Sequence, residues 1–464
     1  MKSRVANGVC MIFVVNVVLV FTYTYLLGSP ATASMKRVQA VIRPINRTNE
    51  ERLSPGQALC PLIRRPTDIK DTQVWQEVGQ GHVLYVFSAF YDDAGTSPIV
   101  RVLGLSVFNR HGPLLCQLWF KDSKHVELYE IQAHVEMLLE GHKRKYRAVY
   151  IKCGIPKNRR PYAVSIVTKS CKQPLNLLKV MYSKNTTTNF TVCVTPLNFK
   201  YSRAFELVEM VEFNKLMGAQ KLVFYNYSTG TNVDAVLRHY VAEGSIEVVQ
   251  WHLPVRVNTW PPSEIVEVHY FAQIAALNDC LYRHLHSSKY IVFTDLDEFI
   301  IPKVGRTWSS LIQKRLSINP KTGAFIIRCI FFRKEWPAYS KNFSGRSEAV
   351  KYKSIVLLNV LRESSDLEFF TRSKLIIIPT RVETVGVHQI WKYRLGYEHD
   401  KVPKTDALLH HYRDFEKPED KKERITDIYV HRFKDKLLAQ LKSTWGKLPK
   451  VPLNIPLSNY SKPV

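Results

Sequence analysis

The spacing of apolar and polar positions changes character several times along this chain, and each change predicts a different kind of structure. From Gly8 to Leu27 the residues are overwhelmingly apolar and none is charged. That is about the length a helix needs to cross a bilayer, and Lys2 and Arg4 before it predict a cytoplasmic tail over 1–7. The run is longer than the apolar core of a cleaved leader, so a retained anchor over 8–27 is expected despite the small residues from Pro30 to Ser34. Residues 28–80 are polar, carry prolines at 30, 44, 55, 61 and 66, and keep no period, which predicts a stem.

Over 81–183 short β-rich runs such as HVLYVFSAFY, IVRVLGLSVF, LLCQLWF, RAVYIKC and YAVSIVT alternate with Asp, Gly, Pro and Lys clusters. They predict a small antiparallel sheet or sandwich. After a Thr- and Asn-rich link, Lys184 to Asn189, strands alternate with helices. Strands are expected at Val192–Leu197, Leu222–Asn226, Ile246–Trp251 and Tyr290–Asp295. Helices are expected over Arg203–Met217, near Asp234–Ala242, and from about Glu264 to His286. The first helix carries Glu206, Glu209 and Glu212 on a face of their own. Such alternation implies an α/β unit with a mostly parallel sheet, placed at 190–440 and followed by a tail over 441–464. Ligands of such sheets bind beyond the carboxyl ends of the strands.

Composition narrows the reading. At 464 residues, 45% hydrophobic and 11% aromatic, the chain has enough apolar material for real cores, which excludes disordered and collagen-like classes. Its formal charge of +26 favours an anionic partner. Asn-x-Ser/Thr sequons at Asn46, Asn185, Asn189, Asn226, Asn342 and Asn459 all follow the anchor and favour a lumenal body. Seven cysteines beyond Cys10 permit disulfides but leave at least one without an intrachain partner. A lumenal setting argues against nucleic acid, and the basic runs KNRRP and KPEDKKER are too short and mixed to restore it. A nucleotide sugar, a diphosphate product or the membrane surface fits the charge better.

The sharpest local chemistry is TDLDEF. Asp295, Asp297 and Glu298 follow a buried run, and on an extended chain residues two apart face the same way. Two such aspartates suit Mn²⁺ or Mg²⁺, while together and unneutralised they would be strongly disfavoured. No Gly-rich dinucleotide or Walker loop offers another phosphate site. His388 and His411 are the candidates for a further metal ligand. Arg203 and Lys374 are candidates for charge neutralisation beside the nucleotide sugar, and Glu335, Asp366 and Glu368 for general base. Trp336 and Trp391 could stack on sugar faces or belong to the core.

Several segments together resemble glycosyltransferase family 92: YVFSAFYDD, VRVLGLSV, VCVTPL, QIAALNDCLYR, IVFTDLDEFI, SKLIIIPTRVETVGVH and LHHYR, spread from about residue 80 to 415. The resemblance implies a GT-A fold, Rossmann-like and mostly parallel, on a single-pass type II Golgi anchor. It also implies metal-dependent, inverting transfer of galactose from UDP-galactose to a glycan on glycoproteins. Vertebrate members build β-1,4 linkages onto terminal β-galactose of N-glycans, and invertebrate ones modify core fucose. By the same likeness Asp295 and Asp297 hold the metal and diphosphate, Asp279 lies near the nucleotide, and His388 and His411 match family positions. Another UDP-sugar donor, or a lumenal glycan-binding protein without activity, are the alternatives. Residue order leaves the oligomeric state open.

Overall fold

Residues 60, 63–64, 69, 73–121, 125–183, 185, 188–259, 265–415 and 423–456 are described by the structure, a computed structural model. The expected tail over 1–7, the anchor over 8–27 and most of the stem lie outside them. Among the described residues no helix is long and apolar enough to cross a membrane.

The β-rich prediction for the first half holds. Strands β1 (Gln76–Glu77), β2 (Leu84–Asp92), β3 (Ile99–Val107), β4 (Leu115–Lys121), β5 (Val126–Gln132), β6 (His134–Met137), β7 (Tyr146–Gly154), β8 (Ala163–Val167) and β9 (Leu178–Met181) form one sheet. Its order is β5-β4-β8-β9-β2-β3-β7-β6, with β1 on β2, and every pair except the parallel β2·β9 is antiparallel. Disulfides Cys60–Cys171 and Cys116–Cys153 staple it.

The second sheet begins with β10 (Thr188–Leu197), β11 (Lys221–Asn226), β12 (Ile246–Gln250) and β13 (Ser288–Thr294). These four are mutually parallel, connected through α1 (Ala204–Met217), α2 (Thr231–Glu243) and α3 (Gln273–Arg283). Gly218 closes α1 in the left-handed conformation that glycine adopts without a Cβ penalty. After β13 the chain turns into β14 (Glu298–Pro302) and α4 (Trp308–Ile318), followed by β15 (Thr322–Ile327), β16 (Cys329–Arg333), α5 (Arg346–Lys351), α6 (Ile355–Leu358), β17 (Leu361–Glu363) and β18 (Lys374–Ile377). The hairpin β19 (Val382–Val385) and β20 (Ile390–Tyr393) precedes β21 (Glu398–Lys401), β22 (Ala407–Arg413), β23 (Arg424–Thr426) and α7 (Lys434–Lys447). The central order is β12-β11-β10-β13-β18-β15-β21, and β18 runs antiparallel to both neighbours. Six of the seven strands run the same way, so the sheet is mostly parallel as expected, mixed only through β18. A third sheet, β14-β22-β16-β17-β23, lies alongside.

Three expectations need correction. The helix expected from Glu264 starts only at Gln273, because Tyr270, Phe271 and Ala272 take left-handed φ values of 37°, 54° and 56° and break any continuous α-helix. The boundary at 440 cuts through α7, and the segment after it packs back on the start of α1: Phe205 N–H donates to Leu453 O at 3.1 Å. The β-rich and α/β regions also belong to one compact unit, Ala58–Val464, rather than two. Arg101 of β3 shows why. It is buried, pairs with Asp92 at 2.7 Å, lies 4.6 Å from the rings of both Tyr150 and Tyr282, and reaches Glu383 at 3.4 Å. A buried guanidinium needs such compensation, and these partners come from both regions.

Candidate active site

Strands β10, β11 and β13 are parallel, so their carboxyl ends meet at one edge. Beyond β10 there, a cleft of about 680 Å³ is lined by Asn198 to Arg203, Asn258, Thr259 and the returning C-terminal residues Asn454 to Pro456. The C-terminal wall is fastened: Asn232 Nδ2 donates to Pro452 O at 3.0 Å and Ser202 Oγ to Ile455 O at 2.5 Å.

Asp295 and Asp297 follow β13 at the same edge, but in a turn, since the strand stops at Thr294. The expectation that alternation on an extended chain aims them together fails for that reason. The turn is closed by Glu298, whose Oε2 accepts the Asp295 N–H at 2.8 Å. Both aspartate side chains are about one-third exposed and each has its own partner. Lys374 Nζ lies 3.0 Å from Asp295 Oδ2, and His411 Nε2 lies 3.5 Å from Asp297 Oδ2. Asp295 Oδ1 is buried and has no hydrogen-bond partner. A carboxylate oxygen in that state is costly unless something else supplies positive charge or a proton.

Register explains how these side chains meet. Glu298 of β14 sits directly across from His411 of β22, and His411 Nδ1 lies 3.3 Å from Glu298. Its neighbour His410 points to the opposite face, as successive strand residues must, stacks on Phe332 at 4.4 Å, and is pushed down to about 3, chiefly by burial. Lys374 opens β18 one position beyond the pair Phe293↔Leu375, which sets it beside the acidic turn.

The electrostatics are tightly linked. Burial, then Asp295, raises Glu298 to about 7. Burial opposes charge on His411, but Glu298 and Asp297 outweigh it and raise its pKa. Burial likewise opposes charge on Asp297, yet the His411 hydrogen bond holds its pKa below the usual carboxylate range. Lys374 is fully buried, which disfavours its charge, but Asp295 and Glu298 raise it well above an ordinary lysine.

The remaining predicted residues divide. Arg203 lines the cleft, pairs with Glu206 at 2.9 Å and feels Asp297. His388 accompanies the cluster without touching either aspartate: its Nδ1 lies 3.1 Å from Ser373 O, and burial with Lys374 lowers it to about 4. Asp279 is not brought to the cleft. It is fully buried, and its oxygens accept from Ser88 and Tyr225 at 2.6 Å and from Arg283 at 2.9 Å, so it ties α3 to β2 and β11. Nor do the three candidate bases touch the acidic turn. Asp366 and Glu368 are held by Arg328 at 2.6 and 2.9 Å, and Glu335 accepts the Phe415 N–H at 2.6 Å. Trp336 packs on Phe415 at 5.7 Å, while the half-exposed Trp391 donates to Glu140. The sequence placed Glu298 in the acidic motif but gave it no role; the structure makes it the residue that closes the turn and faces both Lys374 and His411. Tyr201, which also feels Asp297 from the cleft wall, gave no signal in the sequence.

Among the described residues, the triad of ligand atoms within 4.8 Å of one another is Cys60, Glu130 and Cys171. Its two sulfurs are joined in a disulfide, which disqualifies it. The acidic turn is looser, with the Lys374 ammonium between Asp295 and Glu298. Its donor set still fits a divalent cation: two carboxylates, one with an orphaned oxygen, and an imidazole.

The family model for glycosyltransferase family 92 matches residues 188–447. The chain belongs to that family. The match spans β10 to α7 and includes the acidic turn, Lys374 and His411. The beta-1,4-galactosyltransferase galt-1 of Caenorhabditis elegans is 24% identical over 348 residues, covering 71% of this chain and 74% of its own. Glycosyltransferase family 92 protein F13G3.3 of the same organism is 27% identical over 225 residues, 47% of this chain and 41% of its own. Among solved structures, S. aureus TarS 1-349 in complex with UDP-GlcNAc aligns at a TM-score of 0.28 and 12% identity over 56% of this chain and 73% of that one, too slight a likeness to carry an argument.

Proposed function

We propose that this family 92 glycosyltransferase moves galactose from UDP-galactose to a terminal β-galactoside of glycoprotein N-glycans, with inversion and a β-1,4 linkage, in a GT-A arrangement that uses Mn²⁺ or Mg²⁺. The observation that carries the reading is the buried, unpartnered Asp295 Oδ1 beside Asp297, in an open turn at the edge where the parallel strands end. Galactose and the linkage draw support from family membership and from the name of the relative galt-1. Placement at the Golgi membrane draws support from the apolar run at 8–27 and from three disulfides, which belong to an oxidising compartment.

Asp295, Asp297 and His411 would hold the cation. When bound, it supplies charge stabilisation for the departing diphosphate. The chain's own residues do the rest. Lys374 keeps Asp295 in place and contributes a fixed positive charge. Arg203 faces the same turn from the cleft and can take up phosphate charge as it develops, which stabilises the transition state more than the ground state. Asp366 and Glu368 are engaged by Arg328 and touch no member of the acidic turn, so neither is assigned as the base.

The test is release of UDP from UDP-galactose, with and without a β-galactoside acceptor. EDTA should silence turnover and Mn²⁺ should restore it. Turnover indifferent to chelator would favour a second reading, in which Lys374 neutralises the site without a metal. No release of UDP from any UDP-sugar would leave a glycan-binding protein.

A further inference from the structure

The segment just before α3 is the most strained stretch of backbone near the cleft. Tyr270, Phe271 and Ala272 are consecutive left-handed residues, none of them glycine. Such conformations persist only when their surroundings impose them, and they gather at functional sites. Here the surroundings are explicit. Tyr146 N–H, at the start of β7, donates to Glu267 O at 2.9 Å and forms a parallel bridge with Val268. Lys145 adds an ion pair to Glu267 at 2.8 Å, and His142 stacks on His269 at 3.7 Å. On the other side, Trp251 Nε1 donates to Phe271 O at 2.9 Å.

Phe271 then packs edge-on against Phe199 at 5.2 Å. Phe199 lines the cleft and, with Lys200, is also left-handed. Two strained segments thus lock together through one aromatic pair beside the cleft. The product of this bracing is Tyr270. The residue is 44% exposed, no described residue accepts a hydrogen bond from its hydroxyl, and its phenol lies within electrostatic reach of Asp295, Asp297, Glu298 and Lys374.

We propose that Tyr270 is a substrate-binding residue, whose hydroxyl donates a hydrogen bond to the diphosphate of a nucleotide sugar lying across the acidic turn, and that the β-rich sheet fixes it there through the 267–272 segment. The inference rests on the transferase reading above. Burial, then the two aspartates, push the phenol up to about 12, so it keeps its proton and can donate at neutral pH. A neutral donor also adds no negative charge where two carboxylates already stand.

Calorimetric titration of UDP and of uridine, each with Mn²⁺, into the full-length protein and its Tyr270→Phe variant tests this. The variant keeps the ring and loses only the hydroxyl at an exposed position. Affinity for UDP should fall about tenfold to a hundredfold, as expected for a lost hydrogen bond to a charged group, while uridine affinity stays unchanged. UDP affinity equal to that of the unaltered protein would overturn the proposal. Equal losses for UDP and uridine would also overturn it, by showing that the diphosphate is not the partner. If the unaltered protein binds no UDP, the transferase reading falls and this one with it.

Discussion

Asp279 and Asp295 both lie in segments that resemble the family, yet the structure gives them opposite surroundings. Asp279 is closed: a serine, a tyrosine and an arginine saturate its oxygens in the interior. Asp295 is open, with one oxygen on Lys374 and the other buried without a partner. A saturated carboxylate has nothing left to offer a ligand, so it is part of the scaffold. An orphaned one at a strand's carboxyl edge is waiting for a counter-charge. Motif membership alone does not separate the two roles, whereas hydrogen-bond accounting does.

The sharpest way to break this contrast is substitution on the open side. Asp295→Ala and Asp297→Ala should each lower transfer by at least about a hundredfold to a thousandfold, the scale seen when a stabiliser of developing charge is removed. Stability should fall less than at Asp279, because Glu298 stays beside both buried cations, 3.1 Å from Lys374 and 3.3 Å from His411. Turnover measured beside a thermal melt checks both halves. A variant that kept most of its turnover would remove the acidic turn from the chemistry.

The closed side should behave in reverse. Asp279→Ala strips Arg283, whose side chain is only 13% exposed, of its nearest carboxylate. Leaving such a cation uncompensated typically costs about 3–5 kcal/mol, and the loss should appear as an earlier denaturant midpoint. The fraction that remains folded should bind UDP as the unaltered protein does. An unchanged midpoint with lost UDP binding would make Asp279 a ligand residue after all and erase the contrast.

How much of this was legible in the sequence follows from what is local and what is not. The β-rich first half, the α1 and α2 spans, and the acidic motif closing a strand all rest on short-range patterns, and the structure keeps them. Sheet register is nonlocal. That His411 meets Glu298 while His410 turns away depends on how β22 aligns with β14, which no spacing reveals. The same holds for Asp279, whose partners Ser88 and Tyr225 come from distant strands. The start of α3 was missed because Tyr270 to Ala272 are ordinary residues held left-handed by contacts with the β-rich sheet, and their composition carries no sign of it. The glutamate face of α1 shows the same override: Glu206, Glu209 and Glu212 are all buried, partnered by Tyr201, Ser354 and Tyr240.

Glu209 sharpens the contrast further, because it is closed without a cation. Its carboxylate accepts from the Ser354 hydroxyl and from the Ile355 N–H, the latter at 2.7 Å. Burial nevertheless dominates and raises it to about 7 from an ordinary 4.5. The folded protein therefore binds a proton at Glu209 that the unfolded chain has already released between those values. Its contribution to stability is fully present below about pH 4.5 and is lost as pH rises to about 7. The integrated loss is at most about 3.5 kcal/mol, from about 1.4 kcal/mol per pKa unit. Glu209→Gln keeps an acceptor for the Ile355 N–H and cannot ionise. Denaturant midpoints of the two proteins should therefore converge near pH 4.5, and the variant should gain on the unaltered protein up to about pH 7. Parallel curves across that window would show that neutral donors satisfy this buried charge as well as Arg283 satisfies Asp279.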